Sequence, residues 1–430
     1  MFETFRNAWK VEELRKRILY TLLILVIFRL GCAVPVPYVD ASVLDAWFGT
    51  GNMLDYLNMM SGSALSQCTL FALGVSPYIN SSIIIQLLTV AIPALERLSK
   101  EGEEGRRKLT RITKYASGGI ALGMSIGYYF VLRNLGALSV TGWQAWFVAV
   151  VIILCFTAGA QLATFLGEQV DSKGIGNGVS LLIFTGIIAN WSNVVTAVNS
   201  ILTKAASQPL YYLAFPGVII LALAAVVFVV ILTNAERRLP VQYAKRVVGR
   251  KMYGGQSSHI PIKVNMSGVM PVIFASALCS IPGTIGGFIN LDAAAHPYWT
   301  AFFNFFSARG WGYMVFYLLL IIGFNYFYVA IQYNPVEIAN NLRQNNGAIP
   351  GYRPGKPTSD FITKVLGKIT LVGALFLGVV AVLPILLGNV TGLPIQLGGT
   401  SLLIVVGVAL DTSRSMESFM VMRHHKGFLQ

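Results

Sequence analysis

"SGSALSQCTLFALGVSPYINSSIIIQLL", Ser61–Leu88, joins two unlike halves. From Pro77 onward it is apolar enough to enter a bilayer. Before Pro77 it mixes small polar residues with Leu65, Leu70, Phe71 and Leu73. A membrane span does not normally begin that way, and a soluble loop would not carry those four side chains. The rest of the chain supplies the setting. Its 430 residues are 55% hydrophobic and 12% charged, against about 25% charged in an average soluble domain. Several apolar runs approach the roughly 20 residues that cross a hydrocarbon core. They are continuous rather than alternating, which excludes a transmembrane β-barrel. An all-α polytopic membrane protein is expected.

The pattern predicts ten transmembrane helices: 18–36, 77–95, 112–132, 143–166, 177–194, 212–234, 264–285, 310–332, 365–387 and 398–411. The charged, amphipathic start, "MFETFRNAWKVEELRKRI", is expected to be a cytosolic stub rather than a cleavable signal peptide, because no small-residue cleavage site follows it. With the N-terminus in the cytosol, 28 of the 32 Lys and Arg residues fall on the inner side. That bias places both termini inside. It also accounts for most of the +14 net charge without nucleic acid.

A second stretch resembles the first. "GVSPYINSSI" from Gly74 and "GVMPVIFASA" from Gly268 share Gly, Val, Pro, Ile and Ser at the first, second, fourth, sixth and ninth places. Five spans separate them, so the chain reads as two halves, 1–205 and 206–430, that match helix for helix. Five is odd, which makes the halves an inverted repeat around a central path. Ordinary helix packing behind a proline is the other reading of the match.

The spans carry few charges at depth. Their deep polar residues are Asn80, Gln86, Gln161, Asn265 and Asn325, of which Gln86 and Asn265 sit on the two repeat-related helices. A secondary transporter with a five-plus-five inverted repeat is the alternative function, and it should carry ionisable groups at depth. No catalytic set, cofactor motif or metal-type spacing is present, so no enzyme, cofactor or metal is expected. The loop "GIGNG" (174–178) follows no strand. Cys32, Cys68, Cys155 and Cys279 are scattered and read as free thiols.

The blocks "FALGVSPYINSSIIIQLLTV", "EGEEGRRKLTRITKY", "GIGNGVSLLIF", "ERRLPVQYAKRVVGRKMYGGQSSHIPIKVNMSGVMPVIFAS", "YRPG" and "LGGTSLLIVVGVALD" together resemble the SecY family of bacterial protein-conducting channels. The likeness runs from the stub to the tail. It implies two inverted five-helix halves around a central pore in the bacterial plasma membrane. The cargo would be signal sequences and unfolded precursor polypeptides, passed across or released sideways into lipid. The implied partners are SecE and SecG in the membrane, and the ATPase SecA and the ribosome on the cytosolic side.

The resemblance also assigns residues. A short plug helix would be Ser61, Gly62, Ser63, Ala64, Leu65, Ser66, Gln67, Cys68, Thr69 and Leu70, held weakly by its small side chains. A pore ring would comprise Ile79, Ile83, Val179, Ile183, Ile273 and Ile404; a ring of branched aliphatics offers water no hydrogen bonds, so a narrow waist can dewet. Gln86 and Asn265 would hold a lateral gate between spans two and seven. Docking would use two cytosolic loops. Loop 236–263 carries Arg237, Arg238, Lys245, Arg246, Arg250 and Lys251, and loop 334–360 carries Arg343, Arg353 and Lys356, of which Arg353 and Lys356 would be the docking residues. Topology-setting charge would explain the basic residues of these loops but not their lengths.

Overall fold

A computed structural model of the chain describes residues 9–47, 58, 61–138, 144–190, 199, 210–243, 246–248, 251–253, 257–288, 298, 305, 310–391 and 399–426. The helices are α1 (Glu12–Gly31), α2 (Ala41–Trp47), α3 (Ser76–Ala91), α4 (Pro93–Lys100), α5 (Glu103–Asn134), α6 (Ala145–Lys173), α7 (Gly178–Ala189) and α8 (Leu210–Asn234). Four strands follow: β1 (Glu236–Tyr243), β2 (Arg246–Val248), β3 (Lys251–Tyr253) and β4 (Ser257–Lys263). Then come α9 (Met270–Phe288), α10 (Trp311–Gln332), α11 (Pro335–Gln344), β5 (Gly347–Ala348), α12 (Lys356–Thr391) and α13 (Gly399–Lys426).

Helix α1 shows why these runs are membrane helices. Leu14, Ile18, Thr21, Ile24 and Phe28 repeat at helical spacing and are buried. Leu19, Leu22, Leu23, Val26, Ile27 and Leu30 remain exposed. Beyond its charged first turns, Glu12 to Arg17, the helix is apolar on nearly every face as far as Phe28, and such a face needs an apolar solvent. Among the described residues, 103–134, 145–173, 356–386 and 311–344, which runs on through α11, are long and apolar enough to span. The pair α3 and α4 makes a fifth if counted as one span. The shorter apolar helices 178–189, 219–234 and 270–279 complete the set.

The second expected span, 77–95, is not straight. Helix α3 stops at Ala91, and α4 turns from it by 102°. Pro93 is the cause, because the residue before a proline is pushed out of the helical region. Ile92 is indeed extended (φ −109°, ψ 113°).

Two compact units divide the chain: residues 1–200 with 277–313 and 408–430, and residues 201–276 with 314–407. In the first, α5 and α6 pack around Tyr128, Leu132, Ile152 and Phe156, and Leu65 and Cys68 join that core. In the second, the loop after α8 is an antiparallel hairpin rather than irregular chain. β1 pairs with β4, Leu239 opposite Ile260, and with β5, while β2 and β3 form a smaller hairpin. Leu239 and Val241 point inward from β1. They pack with Ile262, Leu342, Ile349 and Ile362. The hairpin, α11 and the start of α12 thus share one apolar core, which Val329 near the end of α10 also joins.

The two copies of the shared motif adopt the same local form. Gly74 (φ +52°) and Gly268 (φ +64°) both take the left-handed conformation, which costs a glycine little. Behind them, the Val75 carbonyl accepts from the N–H groups of Tyr78 and Ile79. The Val269 carbonyl accepts from Val272 and Ile273 in the same way. Four residues before each glycine, the backbone presses on a glycine of another helix. A Cβ on Gly159 of α6 would overlap the Leu70 carbonyl, and one on Gly373 of α12 would crowd the Val264 carbonyl. The sequence likeness therefore extends to backbone geometry within each unit.

Candidate channel site

The expected plug, Ser61–Leu70, is not a helix. It is a run of turns, with Gly62, Ser63 and Cys68 at positive φ. Neither is it loosely held. Ser61, Ala64, Leu65, Ser66, Cys68 and Thr69 are all buried. The reason lies in the backbone, which adds partners outside the run to its internal bonds from Gln67 to Ser63, Cys68 to Leu65 and Thr69 to Ala64. Val36 donates to the Cys68 carbonyl, and Leu70 donates to the Val34 carbonyl. Ser66 N–H donates to Asn58 Oδ1. Tyr128 of α5 donates its hydroxyl to the Leu65 carbonyl at 2.6 Å and lies 3.3 Å from Cys68 Sγ. Arg29 reaches the Gly62 carbonyl at 3.5 Å, and Ser63 donates to Asn190 Oδ1. Small side chains reduce the apolar area, as the sequence suggests, but hydrogen bonds take over the holding.

Directly behind this run, α3 carries Ile79, buried, and Ile83, half-buried one turn on. On α7, Ile183 is buried and Val179 half-buried, Val179 lying against Gly167 of α6. The start of α7 is fixed by two caps. Asn177 accepts from Ser180 N–H at 3.0 Å, and Asp171 accepts from Gly178 N–H at 2.6 Å. The "GIGNG" loop is thereby a helix reversal, with Ile175 packed among Leu14, Ile18 and Met416. In the second unit, Ile273 and Ile404 are 7% and 1% exposed. A Cβ on Gly407 of α13 would overlap Val269, so the two isoleucines each lie about one turn from that close approach.

The expected gate amides have different settings. Gln86 donates to Ser82 Oγ, one turn back on its own helix, at 3.4 Å. Asn265 is buried, and its Oδ1 has no donor among the described residues. Asn325, one of the deep amides for which ordinary interhelical hydrogen bonds are expected, is 3% exposed on α10. It accepts from the Ser267 hydroxyl and donates to the Thr370 carbonyl at 3.2 Å. Sequence reasoning missed Tyr128. The available signal was a buried aromatic hydroxyl, which needs a partner.

Of the expected docking residues, Arg237 and Arg238 are exposed on β1, with Arg238 paired to Glu236 at 2.8 Å. Arg353 and Lys356 are exposed. The turn bearing Arg353 is braced on both sides. Tyr352 stacks on Phe361 at 4.2 Å, and Thr358 donates to the Arg353 carbonyl at 2.8 Å. Lys245 and Arg250 lie outside the described residues, and Arg246 and Lys251 are described only as backbone of β2 and β3.

The profile of the SecY family matches residues 69–413. The chain belongs to the SecY family. It is 43% identical over 441 residues to protein translocase subunit SecY of Halalkalibacterium halodurans, covering all of both chains. It is 42% identical to the Streptomyces coelicolor protein of that name, again over all of both. To the Thermus thermophilus protein it is also 42% identical, over all of this chain and 98% of the other. Among solved structures, "The structure of a protein conducting channel" aligns with a TM-score of 0.63 at 18% identity, covering 94% of this chain and 92% of that one. A structure of "Sec61 in the Canine ribosome-channel complex from the endoplasmic reticulum" aligns with a TM-score of 0.58 at 16% identity, covering 94% and 92%. The fold is thus that of the SecY-type channels. As a SecY-family member the chain is a multi-pass membrane protein and a protein-conducting channel, not an enzyme. The transporter alternative falls away.

Proposed function

We propose that the chain seals and opens a central pore by the arrangement its sequence suggests. Ten spans form two inverted five-helix halves, 1–205 and 206–430, in the bacterial plasma membrane with both termini cytosolic. Ile79, Ile83, Val179, Ile183, Ile273 and Ile404 form an apolar waist that dewets when empty. Ser61–Leu70 closes the outer side. Helices α3 and α9 part to let a signal sequence or a transmembrane segment pass into lipid, with Gln86 and Asn265 tuning that step. The observation that carries this reading is the buried run of turns set directly before a helix that bears two of the ring isoleucines. Supporting it, the solved structure titled "The plug domain of the SecY protein stablizes the closed state of the translocation channel and maintains a membrane seal" aligns over 94% of the chain with a TM-score of 0.58.

The test is contact with cargo. A precursor stalled in the translocase and carrying one cysteine should form disulfides with Ile83→Cys, Ile183→Cys, Ile273→Cys and Ile404→Cys. It should not do so with Leu22→Cys, on the exposed face of α1. Equal pairing with all five would remove the pore axis proposed here.

The membrane partners are SecE and SecG, and the cytosolic ones are SecA and the ribosome, which dock on loops 236–263 and 334–360. The ribosome is supported by ribosome-bound channels among the structural neighbours. Arg353→Glu should weaken docking at least tenfold, about 1.4 kcal/mol, because the braced turn presents the guanidinium with little ordering left to do. Binding to ribosomal RNA should also fall steeply with salt. Co-sedimentation with ribosomes and with SecA measures both; undiminished binding to each would remove Arg353 from the docking surface.

A further inference from the structure

In each compact unit, a polar side chain from a neighbouring helix holds the segment that leads into the Gly–Val–x–Pro helix. In the first, Tyr128 of α5 bonds the Leu65 carbonyl, and the Leu70 carbonyl seats on Gly159 of α6. In the second, Asn325 of α10 bonds the Ser267 hydroxyl and the Thr370 carbonyl, and the Val264 carbonyl seats on Gly373 of α12. Ser267, Asn325 and Thr370 are 4%, 3% and 2% exposed, so water does not compete for these bonds.

Resting on the gate reading above, we infer that Asn325 is a positioning residue for gating. It ties the lead-in Val264–Gly268 to α10 and α12, and so fixes where α9 begins. Asn325 uses both ends of its amide: the oxygen takes the lead-in's hydroxyl, and the nitrogen takes the α12 backbone. Cutting this tie frees the base of α9, so a weaker signal sequence suffices to move it. A membrane-buried amide bond of ordinary strength sets the size of the effect at roughly three- to twentyfold.

The experiment uses the full chain in cells depleted of the native copy, at matched chain abundance. It measures export of a precursor with a defective signal sequence relative to one with an intact signal. Asn325→Leu should raise that ratio by the amount above. Ser267→Ala, a milder change that keeps the fold testable, should raise it less. The double variant should do no more than Asn325→Leu alone, because both remove one link. Asn325→Gln, which keeps the amide, should restore part of the discrimination. A merely structural residue would lower export of both precursors together and leave the ratio fixed. Gln86→Leu is the separate check on the gate. If it shifts the ratio while Asn325→Leu and Ser267→Ala do not, the inference is overturned and the gate reading stands. If none of the three shifts it, both fall.

Discussion

Ile404→Asn is expected to make the reconstituted channel conduct ions across a planar bilayer at rest, where the unaltered chain stays silent. Ile404 is 1% exposed on α13, three residues before the glycine that packs on Val269. Its side chain offers water nothing to bond. An asparagine amide in the same place, left unpaired, costs about 1–3 kcal/mol. The cheapest relief is to draw water into the waist. At 1.4 kcal/mol for each factor of ten, the resting leak should rise roughly ten- to hundredfold. Ile404→Leu keeps the chemistry and should stay silent. A folded Ile404→Asn chain with no leak would take Ile404 out of the seal.

The second large effect is expected from Gly159→Val. The Leu70 carbonyl occupies the place of a Cβ on Gly159, and a backbone atom cannot swing aside as a side-chain tip can. Overpacking of this kind costs about 1–3 kcal/mol or more. Leu70 is bonded to Val34, and Thr69 pairs with Pro35, so the displacement should be passed to Ser61–Thr69. Cys68, 1% exposed, reports it: its alkylation by a small maleimide should quicken about tenfold, the equivalent of 1.4 kcal/mol. The buried Cys279 of α9 serves as internal reference. Unchanged protection of Cys68 would mean that the carbonyl contact does not hold the run in place.

Much of this was legible in the sequence. Apolar runs gave the class, and a ten-residue likeness gave the repeat, which reappears as matched backbone geometry at Gly74 and Gly268. The ring positions are what the family resemblance implies, and i, i+4 spacing adds only that Ile79 with Ile83, and Val179 with Ile183, share a helix face. What escaped was governed by partners distant in sequence. The resemblance implied a helix over 61–70; Tyr128, more than sixty positions on in its bond to Leu65, helps hold turns there instead. The hairpin β1–β4 was hidden because Arg237 and Arg238 mask the inward alternation of Leu239 and Val241. The 102° turn at Ile92 was in principle readable from Pro93, but the apolar run continues across it and suggested a single span.

The turns of Ser61–Leu70, the run we propose as the plug, bear on how it would leave. A helix carries its backbone bonds with it when it moves. The run Ser61–Leu70 keeps some bonds internal, but it borrows further partners from Val34, Val36, Asn58 and Tyr128, and it must surrender those to leave. Bare carbonyl and amide groups are tolerated only where something replaces those partners, and on the outer side proposed above that something is solvent. Displacement of the plug is therefore also a hydration event. Opening should take up water, and a crowded, low-water-activity exterior should hold the channel closed without touching any of its residues.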